Sequence, residues 1–238
     1  MAEPTLDAGD DEATEVAFLP LIPGVDIDNK KSLDCKVWKD CLVTLSEQDG
    51  FIKSFYGRQV ENQDMLQWMI VWRDVAAHMA FTKSEAYQPF VKHISTLLSG
   101  PAYLHHVHFR TPFAAVASAP VTEMLTMYFK PTISYAQQEE AEKAVDELVA
   151  AAQRHASGFK GAASGWAVEL IKHESLVNEI HEKGMAFLVA LGWESVDAHM
   201  AFRETKEFKR YIEPLRDIAQ GMEMHHVSYN PHEKAAAS

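Results

Sequence analysis

The sequence predicts an α+β fold of two tandem ferredoxin-like repeats, each with the element order β-α-β-β-α-β. A duplicated segment is the first reason: residues 72–81 read WRDVAAHMAF, residues 193–202 read WESVDAHMAF, and seven of the ten positions are identical. A shared strand motif, HHVHF at 105–109 and HHVSY at 225–229, is the second. The two copies lie about 120 residues apart and fill the chain, which indicates an internal duplication.

The first copy alternates apolar runs with amphipathic stretches in the expected order. VAFLPL is a short apolar run with a proline, as at the end of a strand. Ser32 is a suitable helix N-cap, and Gly50 follows the helix as a terminator. A polar Glu-Asn-Gln-Asp turn separates two β-rich runs. The predicted elements are strand 16–21, helix 32–47, strands 51–60 and 65–72, helix 74–99 and strand 103–109.

The second copy repeats this order with more glycine in its second strand and a longer polar connection over 172–184. The apolar periodicity is that of strands and amphipathic helices in the same sequence as before. The predicted elements are strand 121–129, helix 136–155, strands 159–170 and 185–193, helix 195–219 and strand 223–229.

Each repeat has an apolar sheet face that its own helices do not cover, so it needs a partner. The other repeat can supply that partner, and the two sheets are predicted to pack face to face around an enclosed space. The predicted organisation is an acidic disordered tail over 1–14, a first repeat over 15–112, a second over 113–230 and a disordered tail over 231–238.

Composition excludes several classes of protein. The 238 residues include 22 basic and 34 acidic side chains, a formal charge of −12, which argues against a nucleic-acid partner. No apolar run is long enough for a membrane span, and the acidic start does not resemble a targeting signal. The only cysteines, Cys35 and Cys41, are predicted to be small buried residues without a disulfide, which favours a cytoplasmic protein.

The segment WESVDAHMAF resembles the entry from the third strand into the second helix in the dimeric α/β-barrel superfamily. The residues that carry the resemblance are Trp193, Glu194, Ser195, Val196, Ala198 and His199. That superfamily includes antibiotic-biosynthesis monooxygenases, stress-responsive barrel proteins and plant polyketide cyclases. The resemblance covers residues 15–230 and implies a fused dimeric α/β barrel, in the single-chain form common in fungal secondary metabolism. Members of that superfamily catalyse unrelated reactions on one fold, so the resemblance is specific for the fold and not for the function.

One motif of the plant polyketide cyclases is missing. Their catalytic histidine lies in a His-Pro segment soon after the ESV-x-A stretch, whereas residues 203–207 and 82–86 contain neither histidine nor proline. If the protein is a cyclase, its base lies elsewhere.

Histidines of the last strands are the first candidates for acid–base catalysis, because imidazole titrates near neutrality. Alternation along the strands places His105 with the apolar Val107 and Phe109 toward the helices. It therefore places His106, His108 and His226 on the opposite face, toward the space between the sheets. The alternative is that these histidines are hydrogen-bonded structural residues.

His78 and His199 occupy matching positions within the apolar arc of the second helix of each copy. Buried histidines must be hydrogen-bonded, so a structural bond to a backbone carbonyl is the main hypothesis. The alternative is that they reach the rim of the cavity.

An apolar pocket is expected, biased toward the first repeat, where Tyr56 and Arg58 share a strand face and could hold an oxyanion. Its walls are predicted to be aromatic and sulfur-containing side chains, although such residues are more often core. The predicted pocket residues are Phe55, Trp68, Met69, Trp72, Trp166, Met185 and Phe187.

No metal or organic cofactor is predicted. His106, His108 and His226 could be three metal ligands, but no carboxylate or cysteine completes a recognisable set. Haem is also disfavoured, because nothing marks an axial ligand.

Three functions remain open. The first is a cofactor-independent enzyme that closes a ring or isomerises a small aromatic or polyketide-like substrate by histidine acid–base catalysis. The second is a cofactor-free monooxygenase, as the superfamily resemblance also implies. The third is a non-catalytic binding or stress-type barrel protein. A homodimer of the pseudo-dimeric chain is a further partner hypothesis.

Overall fold

The computed structural model describes residues 12–177 and 182–234. These residues form two compact units, and each unit includes a short segment from the other half of the sequence. The first unit consists of residues 12–56, 64–106 and 231–234, and the second of 57–63 and 107–230.

The first half of the sequence forms the elements of one ferredoxin-like repeat. Ser32 caps the first helix, as predicted, because its hydroxyl accepts a hydrogen bond from the backbone N–H of Cys35. The elements are β1 (Ala13–Pro20), α1 (Leu33–Ser46), β2 (Phe51–Arg58), β3 (Met65–Trp72), α2 (Val75–Thr82), α3 (Tyr87–Ile94) and β4 (Tyr103–Phe109).

The second half repeats the order with small additions. Ser134 and Gln137 form a capping box at the start of the long first helix. The elements are α4 (Ala114–Ala117), β5 (Val121–Phe129), α5 (Tyr135–His155), β6 (Phe159–Ala167), β7 (Ile171–Lys172), β8 (Lys183–Trp193), α6 (Val196–Arg203), α7 (Lys206–Ile218), β9 (Gly221–Val227) and β10 (Asn230–Glu233).

The predicted α+β class with two ferredoxin-like repeats is confirmed. In the first unit the strand order is β10-β2-β3-β1-β4. In the second unit β6-β8-β5-β9 follow the last three residues of β4. The two repeats share the same strand register. Glu15 lies opposite Ile70 and Glu123 opposite Leu191, and each glutamate is the third residue of its strand.

The core of each unit lies between its sheet and its helices. In the first unit Trp38 of α1 packs against Trp68 of β3, with ring centroids 4.6 Å apart. In the second unit Phe187 of β8 stacks on Trp166 of β6 at 4.6 Å.

Cys35 and Cys41 are free and buried on α1, as predicted. No helix within the described ranges is long and apolar enough to cross a membrane.

Two helices predicted as continuous are broken. The helix expected over 74–99 is α2 and α3, and the one expected over 195–219 is α6 and α7. In the second repeat Thr205 accepts a hydrogen bond from the N–H of Phe208 and so starts a new helix. In the first repeat tight turns follow α2, in which Ser84 N–H donates to the carbonyl of Phe81. A polar side chain that satisfies a free backbone group ends one helix and begins the next.

The predicted ends of the repeats also need correction. Strand β1 begins at Ala13, inside the predicted tail 1–14, and β10 includes residues 231–233 of the predicted tail 231–238. Strand β10 pairs with β2, so these residues satisfy sheet hydrogen bonds. Residues 1–11 and 235–238 of the two tails, and 178–181 of the polar connection, lie outside the described residues.

Gly165 of β6 allows two backbones to approach closely. A Cβ at this position would clash with the carbonyl oxygen of His108 on β4, which is backbone and cannot swing away. We predict that Gly165→Ala destabilises the protein by about 1–3 kcal/mol, as overpacking does. Gly100→Ala is the control, because its Cβ would meet only Pro20 Cγ at 3.8 Å. Urea unfolding midpoints measure both, and equal midpoints would contradict the prediction.

Candidate functional site

Four buried polar side chains of the second unit meet at the interface of sheet and helix. Glu123 lies on β5, Trp193 at the end of β8, His199 on α6 and His226 on β9. We call them the second-unit set. Ser195 accepts a hydrogen bond from Ala198 N–H and so starts α6 directly after Trp193, which places His199 one turn into the helix.

Direct contacts join the second-unit set. The indole N–H of Trp193 donates to Glu123 Oε2 at 3.0 Å, and His199 Nε2 lies 3.2 Å from the same oxygen. The other ring nitrogen of His199, Nδ1, lies 2.8 Å from His226 Nε2. The Trp193 and His199 rings also stack, with centroids 5.1 Å apart. Each of these four side chains therefore has a polar partner within the set, inside the core.

Glu61 extends the contacts toward the surface. Its Oε2 accepts the backbone N–H of His226 at 2.9 Å, and its Oε1 lies 2.5 Å from His226 Nδ1. The Glu61 side chain is 45% exposed, whereas that of His226 is 2% exposed. Partial burial raises the pKa of Glu61, but the hydrogen bonds from His226 outweigh it and hold the pKa below its usual range.

Burial shifts the acid–base chemistry of the set toward neutral groups. It raises the pKa of Glu123 to about 7, against the lowering effects of the Trp193 hydrogen bond and the charge of Arg203. It lowers the pKa of His199 to about 3, helped by the charges of His226 and Arg203 and opposed by that of Glu61. Near neutral pH His199 is therefore uncharged, and Glu123 can exchange a proton.

The first unit contains the same arrangement in Glu15, Trp72, His78 and His106, which we call the first-unit set. Trp72 N–H donates to Glu15 Oε2 at 2.9 Å, and His78 Nδ1 lies 2.7 Å from His106 Nε2. The distance from His78 Nε2 to Glu15 Oε2 is longer, at 3.5 Å. The duplication has thus preserved a buried polar cluster and the fold around it.

A cavity of about 440 Å³ opens beside the second-unit set. Glu123, Trp193 and His199 line it, together with Arg203 and Arg216. Its remaining walls are mostly apolar side chains of β5, β8, β9 and the helices. They include Leu125, Leu148, Leu191, Phe202, Phe208, Ile212, Met222 and Met224. The cavity therefore combines an apolar wall with a buried carboxyl group and two cationic side chains.

The predicted direction of the strand histidines is wrong for His106 and His226. Both reach toward the helices, where they contact His78 and His199, and not away from them. The ring of His105 lies instead next to that of Phe18 on β1, with ring centroids 6.3 Å apart. Alternation failed because both faces of these strands are buried, so the apolar Val107 does not mark the helix side.

Helix histidines make different bonds from those predicted. His78 and His199 each contact a second histidine and a glutamate, whereas a backbone carbonyl was the expected partner. The alternative, that His199 reaches a cavity, agrees with its position in the lining. His108 is exposed on β4, opposite Trp166. The acid–base roles of His106, His108 and His226 stay predictions.

The other predicted site residues do not border this cavity, which also lies in the second unit and not in the first. Tyr56 packs edge-on against Trp38 at 5.0 Å, and Arg58 donates to the carbonyl of Gln63 at 2.5 Å. The predicted pocket residues pack in or against the core instead. Trp68, Trp72 and Phe187 belong to the two buried core clusters, Trp166 and Met185 are partly buried against the second cluster, and Phe55 and Met69 are buried.

Sequence reasoning missed the three glutamates. The signal for two of them was present, because Thr14-Glu15 and Thr122-Glu123 each interrupt the apolar first strand of a repeat. A charged residue at the same place in two copies of a buried strand indicates a shared partner. Glu61 lies in the polar turn between β2 and β3 and offers no such repeat signal. Among residues 12–177 and 182–234, no group of His, Cys, Asp or Glu has the arrangement of a metal site.

Trp193→Phe removes a hydrogen bond that favours the ionised form of Glu123, so we predict that the pKa of Glu123 rises further above about 7. Carbon-13 NMR of the Glu123 carboxyl group measures the titration. Trp72→Phe removes the matching bond of the first-unit set and should leave the Glu123 titration unchanged. A Glu123 midpoint that stays constant or falls in Trp193→Phe would contradict the assignment.

Comparison with known proteins supports the fold and matches one segment to a family model. Residues 36–93 match the model of the family described as antibiotic biosynthesis monooxygenase. No curated protein matches the sequence.

Three solved structures match nearly the whole chain. An anthrone oxidase-like protein shares 13% identity and a TM-score of 0.68, covering 97% of this chain and 98% of its own. A protein of Fusobacterium nucleatum, provisionally named a monooxygenase, shares 12% identity with a TM-score of 0.58 over 95% and 96%. A similarly named protein of Lactobacillus acidophilus shares 11% with a TM-score of 0.57 over 95% and 98%. The chain thus shares the fold of these structures, and residues 36–93 of its first half match the family model described as antibiotic biosynthesis monooxygenase.

Proposed function

We propose that the second-unit cavity binds a small aromatic, polyketide-type molecule and that the protein oxidises it with dioxygen, without an organic cofactor. The observation that carries the proposal is Glu123, a carboxyl group buried against neutral His199 at the wall of an apolar cavity. Such a base removes a proton from a weakly acidic C–H group most efficiently when the pKa of the base lies near the working pH. Burial raises the pKa of Glu123 to about 7.

The size and lining of the cavity suit such a molecule. A volume of about 440 Å³ falls within the range of about 300–1,000 Å³ that ligand pockets usually have. The apolar side chains would contact the rings. Arg203 and Arg216 offer positive charge to an enolate or phenolate oxygen. At the position of Arg203 the first repeat has Thr82, so this positive charge belongs to the second repeat.

The proposed reaction converts a methylene group next to a conjugated ring system into a carbonyl group. Glu123 takes one proton from the methylene carbon, and the carbanion transfers electrons to dioxygen to form a peroxide. The O–O bond then breaks and the second C–H hydrogen leaves, so that CH₂ and O₂ give C=O and H₂O. The substrate loses four electrons and dioxygen gains four, so that no external reductant is required.

Two points favour oxidation over a reaction that only transfers protons. The family model that matches residues 36–93 is named for monooxygenases, and three whole-chain structural matches carry oxidase or monooxygenase names. A cofactor-independent cyclase or isomerase is the second candidate. It is favoured by the contact between Glu123 and His199, since a shared proton can be returned to the substrate as well as removed.

Glu123→Gln removes the base but preserves the size of the side chain. We expect its kcat to fall by roughly 10²–10⁴-fold, the usual contribution of a general base. Oxygen uptake with anthrone as the probe, corrected for its oxidation without protein, measures the rate. Glu15→Gln makes the matching change in the first-unit set and should keep the wild-type rate. Equal rates for Glu123→Gln and the wild type would contradict the proposal. Product without oxygen uptake would favour the cyclase or isomerase, and binding without product a non-catalytic protein.

The pH dependence should follow the ionisation of Glu123. The carboxylate is the active form and burial raises its pKa to about 7, so kcat/KM should increase as pH rises through about 7 and then level off. Initial rates of oxygen uptake across a buffer series measure the profile. A rate that falls over this range, or that rises only in the ordinary carboxylate range near about 4, would exclude Glu123 as the base.

A further inference from the structure

Four side chains form an unbroken path from the surface of the second unit to its cavity. Glu61 Oε1 lies 2.5 Å from His226 Nδ1, His226 Nε2 lies 2.8 Å from His199 Nδ1, and His199 Nε2 lies 3.2 Å from Glu123 Oε2. Each ring thus uses one nitrogen toward the surface and the other toward the cavity. Each of the three distances lies within the range of hydrogen bonds.

The number of hydrogens indicates that this path needs a shared proton. Three contacts join four groups, and each contact needs one hydrogen between its two heavy atoms. Two neutral imidazole rings supply only two. The third hydrogen can reside on His226, on Glu123 or on Glu61 while the heavy atoms keep the same contacts. The arrangement is therefore suited to proton exchange between its ends.

Exposure changes along the path in the direction that a relay needs. The side chain of Glu61 is 45% exposed, those of His226 and His199 are 2% exposed, and that of Glu123 is 7% exposed and lines the cavity. Protons can enter or leave through water at Glu61. The two rings exclude water from the segment between Glu61 and Glu123.

We propose that Glu61, His226, His199 and Glu123 form a proton relay between solvent and the cavity. This inference rests on the proposed function only in naming the substrate as the source of the proton. Glu61 and His226 act as relay residues, without touching the substrate.

The steps conserve protons. Glu123 first gains the substrate proton and passes it to His199 Nε2. At the same time His199 Nδ1–H passes to His226 Nε2 and His226 Nδ1–H passes to Glu61, which can release a proton to water. In the oxidation both hydrogens of the CH₂ group end in water, so a proton must later return to the peroxide. The reverse transfers deliver it and restore the original hydrogen position on each ring.

Other charged groups near the path set its electrostatics. Arg203 of α6 and Arg216 of α7 line the cavity, and β9 contributes Glu223 to its lining. His225, the neighbour of His226 on β9, is largely neutral near pH 7, because burial lowers its pKa to about 4. The carboxyl groups of the path itself are those of Glu61 and Glu123, one at each end, and Glu223 adds a third carboxyl group at the cavity.

Glu61→Gln tests the relay in the ligand-free protein. The amide oxygen still accepts the backbone N–H of His226, but the amide NH₂ now faces His226 Nδ1, so this ring must carry its hydrogen on Nε2. We expect nitrogen-15 NMR of the histidine rings to show the hydrogens of both His226 and His199 on Nε2. We also expect the Glu123 midpoint to move. Asp40→Asn changes an exposed carboxylate near His93 and should alter neither. Unchanged His199 shifts and an unchanged Glu123 midpoint in Glu61→Gln would overturn the proposal.

Turnover provides the second measurement. With anthrone in weak buffer, we expect kcat of Glu61→Gln to fall about tenfold with KM unchanged, and concentrated small buffers to restore part of the rate. If the wild type oxidises anthrone and Glu61→Gln has the same kcat in weak buffer, the relay is wrong and the proposed function stands. If the wild type does not oxidise anthrone, the proposed function fails for this substrate, and the NMR result alone decides the relay.

Discussion

The hydrogen bond between a buried tryptophan and a buried glutamate determines much of the structure of each unit. A carboxyl group on a central strand is costly to bury unless donors surround it. The indole N–H can only donate, so it supplies such a contact without competing for other protons. In the second unit Trp193 meets Glu123 across the paired strands β8 and β5, and His199 approaches the same oxygen from α6. The end of β8, the start of α6 and the direction of His199 are therefore fixed together.

Duplication preserved this constraint while the surroundings diverged. In the first unit Trp68 packs between Trp38 and Phe90, with ring centroids 4.6 and 6.4 Å away. By the spacing of the duplicated segments, Val189 stands where the first repeat has Trp68. A set of contacts that satisfies a buried charge is hard to change one residue at a time. Apolar neighbours can change more easily, since they need only conserve volume. The first unit has an aromatic cluster in its core, and the second has a cavity beside its matching polar cluster.

Sequence reasoning predicted the fold because it relied on patterns that many residues share. The repeated WxxVxAHMAF segment, the Ser32 cap and the alternation of apolar runs each reflect local physics. Strand β5 and strand β4 have the predicted bounds. Histidines were recognised as candidate site residues, but their direction was reversed, because both strand faces are buried and alternation cannot tell which face meets the helices. Glu61 was missed because its role depends on a contact 165 residues away along the chain.

Each unit is completed by a short segment from the other half of the sequence. Strand β10, near the end of the sequence, pairs with β2 in the first unit. Residues 57–63 join the second unit, where Val60 N–H donates to the carbonyl of His226 and covers the edge of β9. During synthesis on the ribosome, the outer strand of the first unit could form only after β10 has emerged. The segment 57–63 would likewise have to wait for β9. The sheets of both units are thus expected to be completed only after β9 and β10 have been synthesised, and a translation product that stops before them would expose two unpaired strand edges that favour aggregation.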